Sequence, residues 1–377
     1  MIDQGRDEEG ESKDWINELP DCILVSIFSL LTLKDVVDTT MVSRQWRHLG
    51  LQPILTKVNL EFDLANIFGI NVRDDDFEDD LCLLRPPPDF DRFNQLTTLY
   101  QYKAVVDNIS LARLLSDCLL LESLTLDSCT GATDLIVGGP SLRLNDLRVV
   151  NCSDIERVDI SLVKVAYLEL VTGRPNLHLS IKPPHPARIY YDAFDFNEFW
   201  DTLTQFGSFV GLETLGMMVV TGQIPQNLPV FRDLKKLDLR LFYGADLVGP
   251  LNLLNAAPRL EELVVTLLVE NFRENQQQIL ESFSVVKHDH LRKVKLQAFR
   301  STPCEIEFVI SILQITTKLE IMEIDPFGKF YMGGGAWWDV LGVNVACLSN
   351  SYWEEKGRSL IQEKLKEVKT DAQIIIL

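Results

Sequence analysis

Residues 121–129 read Leu121-Glu122-Ser123-Leu124-Thr125-Leu126-Asp127-Ser128-Cys129, and residues 144–152 read Leu144-Asn145-Asp146-Leu147-Arg148-Val149-Val150-Asn151-Cys152. Both fit LxxLxLxx(N/C), down to a cysteine at the same last place. Looser copies start at Leu55, Val165, Leu212, Leu234, Leu260, Leu291 and Leu319, with a degenerate one at Pro186 and a weak one at Leu96. From Leu121 onward the starts are 23, 21, 21, 26, 22, 26, 31 and 28 residues apart. In such a unit the LxL core is a short strand, and side chains alternate faces along it. The leucines therefore point into a core, the residues between them line a concave sheet, and the rest of each unit returns across the convex side. The last, stretched intervals call for helices such as one over Glu307 to Gln314. The expected fold class is α/β, a solenoid with a concave parallel β-sheet.

Repeat lengths of 20–29 residues are those of leucine-rich repeats. The positions facing the concave side include Arg188, Tyr190, Asp192, Lys236, Asp238, Arg240, Lys293 and Lys295, an exposed patch of mixed charge. It reads either as a partner-binding surface or as an ordinary solvated sheet face. The solenoid is expected over residues 52–352. Inside it, residues 73–89 carry six acids in the seven positions from Asp74 to Asp80, then Pro86-Pro87-Pro88, the composition of an exposed loop.

Residues 14–51 have a different texture. Ile23, Leu24, Ile27, Leu30 and Leu31 stand at helical spacing behind Pro20, which a first helical turn tolerates. Thr32 with Asp35, and then Ser43, are placed to cap two further short helices, the last carrying Trp46 and Leu49. Three short helices in so few residues cannot bury all of their apolar surface, so the unit needs a partner, or it caps the neighbouring domain. Residues 1–13, with five acids and two bases, read as a disordered acidic lead-in. Residues 353–377 place Leu360, Ile361, Leu365 and Val368 on one helical face before the run Ile374–Ile376. A helix and strand there would cap the last repeat, which otherwise exposes an apolar end and a sheet edge.

The 377 residues contain 36 basic and 55 acidic side chains, a net charge of −19, with 46% hydrophobic residues. That composition folds, and its charge opposes the phosphate neutralisation on which nucleic-acid affinity rests, so neither nucleic acid nor an anionic membrane is expected as a partner. The acidic start is unlike a secretory signal, and the expected location is the cytoplasm, the nucleus or both. Seven scattered cysteines lack metal-ligand spacing and read as reduced, mostly buried thiols. No nucleophile elbow, phosphate loop, dinucleotide fingerprint or zinc-protease helix occurs, so no catalytic residue, cofactor or metal is expected. His288-Asp289-His290 offers two ligands without a third, and Gly333-Gly334-Gly335 before Trp337-Trp338 reads as a flexible loop against an aromatic cluster.

The run Leu19-Pro20-Asp21-Cys22-Ile23-Leu24 through Ile27 and Leu31, then Lys34-Asp35-Val36-Val37, then Val42-Ser43-Arg44-Gln45-Trp46-Arg47 closely resembles an F-box. Cys22 stands where many members have an acid. The remainder resembles the repeats of plant-type F-box/leucine-rich-repeat proteins. Within it His290–Phe299 and Leu319–Pro326, about residues 288–326, are similar to their FBD-like terminal repeats. The resemblance implies docking on the Skp-type adaptor (S-phase kinase-associated protein one), and through it on cullin and RING subunits of a ubiquitin ligase. It assigns the adaptor contact to Leu19, Pro20, Ile23, Leu24, Ile27, Leu31, Val36, Val37, Val42 and Trp46. The implied role is non-catalytic recognition of an unknown protein substrate for ubiquitination. A small-molecule-dependent receptor, or a scaffold without a role in degradation, are the other readings.

Overall fold

The structure is a computed structural model that describes residues 19–30, 46, 49, 59–63, 96–161, 163–172, 177–193, 196–219, 227–242, 247–268, 280, 287–339 and 356–377. The acidic lead-in, the loop at 73–89 and the F-box positions Leu31, Val36, Val37 and Val42 lie outside them.

Twelve strands form one wholly parallel sheet. They are β1 (Asn59–Asp63), β2 (Thr98–Tyr102), β3 (Ser123–Asp127), β5 (Asp146–Val150), β7 (Tyr167–Val171) and β9 (Arg188–Ala193), followed by β10 (Thr214–Val219), β11 (Lys236–Leu241), β12 (Glu262–Leu267), β13 (Lys293–Gln297), β14 (Ile321–Ile324) and β17 (Gln373–Ile376). From Leu96 to Leu319 every strand begins two residues after its repeat start, including the weak copy at Leu96 and the degenerate one at Pro186. Only the first copy is displaced: β1 begins four residues after Leu55.

What crosses the convex side follows from how many residues remain. Three of the short repeats, starting at Leu121, Leu144 and Val165, return through β4 (Asp134–Gly138), β6 (Arg157–Ser161) and β8 (His178–Ile181), which form a second parallel sheet. A strand advances about 3.3 Å per residue against 1.5 Å for a helix, so it spans the gap with fewer residues. Longer repeats return through helices: α2 (Asn108–Asp117), α3 (Phe196–Gly207), α4 (Val248–Ala256) and α5 (Pro303–Ile315). The last contains the expected Glu307–Gln314 segment and starts with a complete capping box between Thr302 and Glu305.

Between the two faces lies the core. Leu124, Leu126, Leu147, Val149, Leu168, Leu170, Leu215, Leu237, Leu239, Leu263 and Val265 are essentially without solvent contact, each burial contributing roughly 1.5–3 kcal/mol. After β2, β3, β5 and β13 the chain turns through a left-handed residue at the same place: Lys103, Ser128, Asn151 and Ala298, with φ of 50° to 57°. Behind two of these turns the matching cysteines meet, the Cys129 amide donating to Cys152 Sγ at 3.3 Å. The cysteines at 118, 129 and 152 are buried free thiols, as expected, whereas Cys22 is exposed.

Both ends are closed by other elements. In α1 (Asp21–Leu30), Leu24 and Phe28 are 1% exposed, and with Leu49 they belong to the same continuous apolar cluster as the repeats. At the other end α6 (Arg358–Leu365) buries Ile361 and Leu365, with Leu360 and Val368 packed beside them, and β17 pairs with β14 as the twelfth strand. Arg358 donates to the Ile376 carbonyl at 2.9 Å, tying the helix to the strand.

Candidate functional site

Parallel pairing in register arranges the concave face in rows. Arg188, Thr214, Lys236, Glu262 and Lys293 form one row, Tyr190, Gly216, Asp238, Val264 and Lys295 the next, and Asp192, Met218, Arg240, Thr266 and Gln297 a third. Eight of these are the positions singled out from the repeats, so the register brings them together. Their expected exposure is corrected by what lies on top. Residues 329–339 form an antiparallel hairpin, β15 (Lys329–Gly333) and β16 (Ala336–Asp339), that crosses the concave sheet and buries Tyr190, Asp192 and Arg240. The expectation of a flexible Gly333-Gly334-Gly335 loop is likewise corrected: all three residues have positive φ and make the hairpin's tight reversal. The physical reason is in the flanking residues, where buried Phe330 and half-buried Tyr331 supply the aromatic surface that holds a two-stranded unit against the sheet.

Buried polar groups of the sheet hold the hairpin down. The Glu169 carboxylate, on β7, is fully buried and accepts from the Gly334 amide at 2.7 Å, the Tyr331 hydroxyl at 2.9 Å and the Tyr167 hydroxyl at 3.1 Å. Burial raises its pKa, and those three bonds with the Arg148 guanidinium at 3.9 Å oppose the rise. On β9, the Tyr190 hydroxyl donates to the Tyr331 carbonyl at 2.6 Å, and the two rings meet edge to face at 4.7 Å. Arg240 donates to the same carbonyl, lies 4.4 Å over the Tyr190 ring, and reaches past β10 to Asp192 at 2.7 Å. That ion pair is dry on both sides, and burial outweighs Arg240 in pushing the Asp192 carboxyl up to about 6. Farther along, Gln297 donates to the Lys329 carbonyl at 3.0 Å.

Gly216 makes this packing possible. A Cβ there would lie 2.3 Å from the Tyr190 ring, so only glycine lets that ring lie down along the sheet. Val150, Val171 and Tyr190 with Tyr331 thus make a second apolar cluster, on the opposite side of the sheet from the main core.

Where the hairpin ends, a cavity of about 480 Å³ opens on the sheet, walled by Arg148, Tyr167, Arg188 and Lys236 and by Tyr331 and Trp337 of the hairpin. The guanidinium groups of Arg148 and Arg188 stand 5.0 and 5.4 Å from the centre of the same Tyr167 ring. Lys236 is paired with Glu262 at 2.8 Å, and Lys295 with Glu323 at 2.7 Å, while Lys293 is exposed on the far side. Reading repeats alone missed Arg148, Tyr167, Glu169, Tyr331 and Trp337. The aromatic residues on either side of three glycines were the available signal for the hairpin.

On α1, the residues assigned to the adaptor separate into two faces. Pro20, Ile23 and Ile27 are exposed, with Ile23 at 46% and Ile27 at 40%, and Leu19 is half-buried. Leu24 points the other way into the core, and Trp46 is half-buried edge to face with Phe28 at 5.4 Å, so these two support the helix rather than offer a surface. The histidine at 288 is structural as well. Its Nδ1 accepts the Leu291 amide at 3.1 Å, which leaves Nε2 of His288 to donate to the Ala257 carbonyl at 3.0 Å. Among the described residues there is no group of three or more potential metal ligands, and no helix long and apolar enough to cross a membrane.

Comparison with known proteins agrees with this geometry. F-box/LRR-repeat protein 13 of Arabidopsis thaliana is 28% identical over 45% of the chain and 44% of its own length. F-box/FBD/LRR-repeat protein At5g22700 of the same plant is 24% identical over 82% of the chain and 91% of its own length. A short stretch of 65 residues is 48% identical to F-box/FBD/LRR-repeat protein At4g00160, covering 13% of that protein. The chain thus spans less than half the length of the first of these relatives. Residues 16–57 match the F-box-like family, in the segment that carries α1. Residues 76–334, from the acidic run through the hairpin's turn, match the family described as At1g61320/AtMIF1, LRR domain, and the chain belongs to that family, with an F-box-like region in front of its repeats.

Proposed function

We propose that this chain is the substrate-recognition subunit of an SCF-type (Skp-cullin-F-box) ubiquitin ligase. Its F-box would dock a Skp-type adaptor, and its concave side would hold a protein to be ubiquitinated. The observation that carries this reading is the exposed stripe Pro20, Ile23 and Ile27 on a helix whose opposite face, Leu24 and Phe28, is already used up by the core. Isoleucines left 46% and 40% exposed at i and i+4 next to a proline have apolar surface that the chain does not cover, and they suit the buried centre of a protein interface. The role is non-catalytic. Holding a substrate near a conjugating enzyme raises the effective concentration of its lysines, which needs no reactive group here. Buried free thiols at Cys118, Cys129 and Cys152 suit the reducing cytoplasm or nucleus in which we place it.

Ile23→Asp with Ile27→Asp is the test. The double variant should lose the adaptor in a titration, by about 2 kcal/mol or more, roughly thirtyfold, while its circular dichroism stays that of the wild type. Undiminished adaptor binding by the folded variant would overturn the proposal.

A further inference from the structure

The concave face, which holds the substrate in the ligase reading on which this rests, is not open. Its middle is filled by the chain's own hairpin, so a partner cannot lie over Tyr190, Asp192 and Arg240. What remains accessible beside it is the cavity at the hairpin's edge. Two features there point to what it receives.

The first is charge. In a chain of net −19, the wall of this cavity gathers Arg148, Arg188 and Lys236. Asp146 neutralises Arg148 through two bonds of 2.9 and 3.0 Å, and Glu262 neutralises Lys236. Arg188 has no carboxylate partner among the described residues. It is exposed, and stands over Tyr167 beside a second guanidinium on the same ring. With Arg148 already paired to Asp146, the open positive charge over this ring is that of Arg188. Asp238, also in the wall, is held above the usual carboxylate range by loss of water.

The second is aromatic surface. Trp337 and Trp338 are 61% and 52% exposed on β16, the exposed strand of the hairpin, and Trp337 forms the cavity's rim. Its ring already rests on Tyr331 at 5.3 Å, so it is positioned without being covered. Exposed tryptophans beside an arginine are the composition of an interface anchor.

We propose that this cavity is the recognition pocket for an acidic, aromatic-containing segment of a protein partner. A carboxylate of that segment pairs with Arg188, and an adjacent aromatic side chain packs on Trp337 at the hairpin's edge. The hairpin is therefore a specificity-determining wall, and Glu169 and Arg240 are positioning residues that set where Trp337 stands.

The test uses the full chain and two fluorescein-labelled peptide pools, one of Asp/Glu-rich peptides each holding a single Phe or Trp, the other with Asn and Gln in place of the acids. The acidic pool should bind, and binding should weaken as salt rises. Arg188→Glu should weaken it at least tenfold, and Trp337→Ala should do so with the salt dependence preserved. Equal binding of both pools, or of neither, overturns the proposal. So does acidic-pool binding that Arg188→Glu leaves unchanged in a variant with wild-type circular dichroism. Adaptor binding measured on the same variants should not move. Its loss in Ile23→Asp with Ile27→Asp, or its absence altogether, reports on the ligase reading alone, so the two failures are distinguishable.

Discussion

Asp192 and Arg240 form the one ion pair among the described residues with neither side chain in contact with water, and its energetics follow from that. Removing one partner strands the other charge in a dry site. Asp192→Ala should cost about 3–5 kcal/mol in urea unfolding, whereas replacing both residues with well-packed apolar side chains should cost far less. The pair also sets a pH dependence with a definite sign. The Asp192 carboxyl titrates near 6 when folded and near 3.8 when not, so the folded state binds more protons in between. Its contribution to stability is fully present below the unfolded value and is lost as pH rises through about 6. Compared with Asp192→Asn, the wild type should gain on the order of 2–3 kcal/mol as the pH is lowered from 7 towards 4. His288, whose pKa burial lowers against the opposing bond to the Ala257 carbonyl, acts in the opposite direction in both proteins, so it cancels in the comparison. A gap that does not change with pH would mean that Asp192 titrates normally.

At the scale of elements, the terminal cap gives the clearest prediction. Deleting residues 356–377 removes β17 from the β14 edge and uncovers the apolar surface that Ile361 and Leu365 occupy. Light scattering should then detect association that the full chain does not show. A monomeric truncation with an unchanged melting curve would reduce the segment to a tail. Inside α5, Thr302→Ala loses one half of the capping box and should cost about 1 kcal/mol. These elements were readable because each depends on local chemistry: leucine spacing set the strands, and one apolar helix face marked the cap. The F-box helix was legible as a helix, but the inward turn of Leu24 was not. Five apolar residues on a short helix do not say which face the rest of the chain will cover. The hairpin was hardest to see, because its partners lie on strands 32 to 165 residues earlier in the chain. Repeat position told which side Arg240 faced, but a charged residue on a sheet face reads as solvated until something covers it.

The molecule as a whole carries its −19 charge on a solenoid whose exposed pairs, such as Lys235 with Glu213 and Arg292 with Glu320, join neighbouring repeats. Such pairs are individually weak, and the excess of acids repels itself, so the melting temperature should rise as salt is added from low to physiological ionic strength. A fall would mean that the inter-repeat pairs outweigh the self-repulsion. A stack of repeats ordinarily behaves as a one-dimensional array, each unit held by its neighbours and able to form as soon as it is made. Here the hairpin breaks that rule. Tyr331 is contacted by Arg240, 91 residues earlier, and by Glu169, 162 residues earlier. At translation speeds of about 5–20 residues per second, the sheet from β7 to β11 waits on the order of 5–30 s for its cover. During that interval Arg240, Asp192 and Tyr190 face the cell as an open, hydrated surface, and a nascent chain held at this stage presents to chaperones a face that the finished protein never shows.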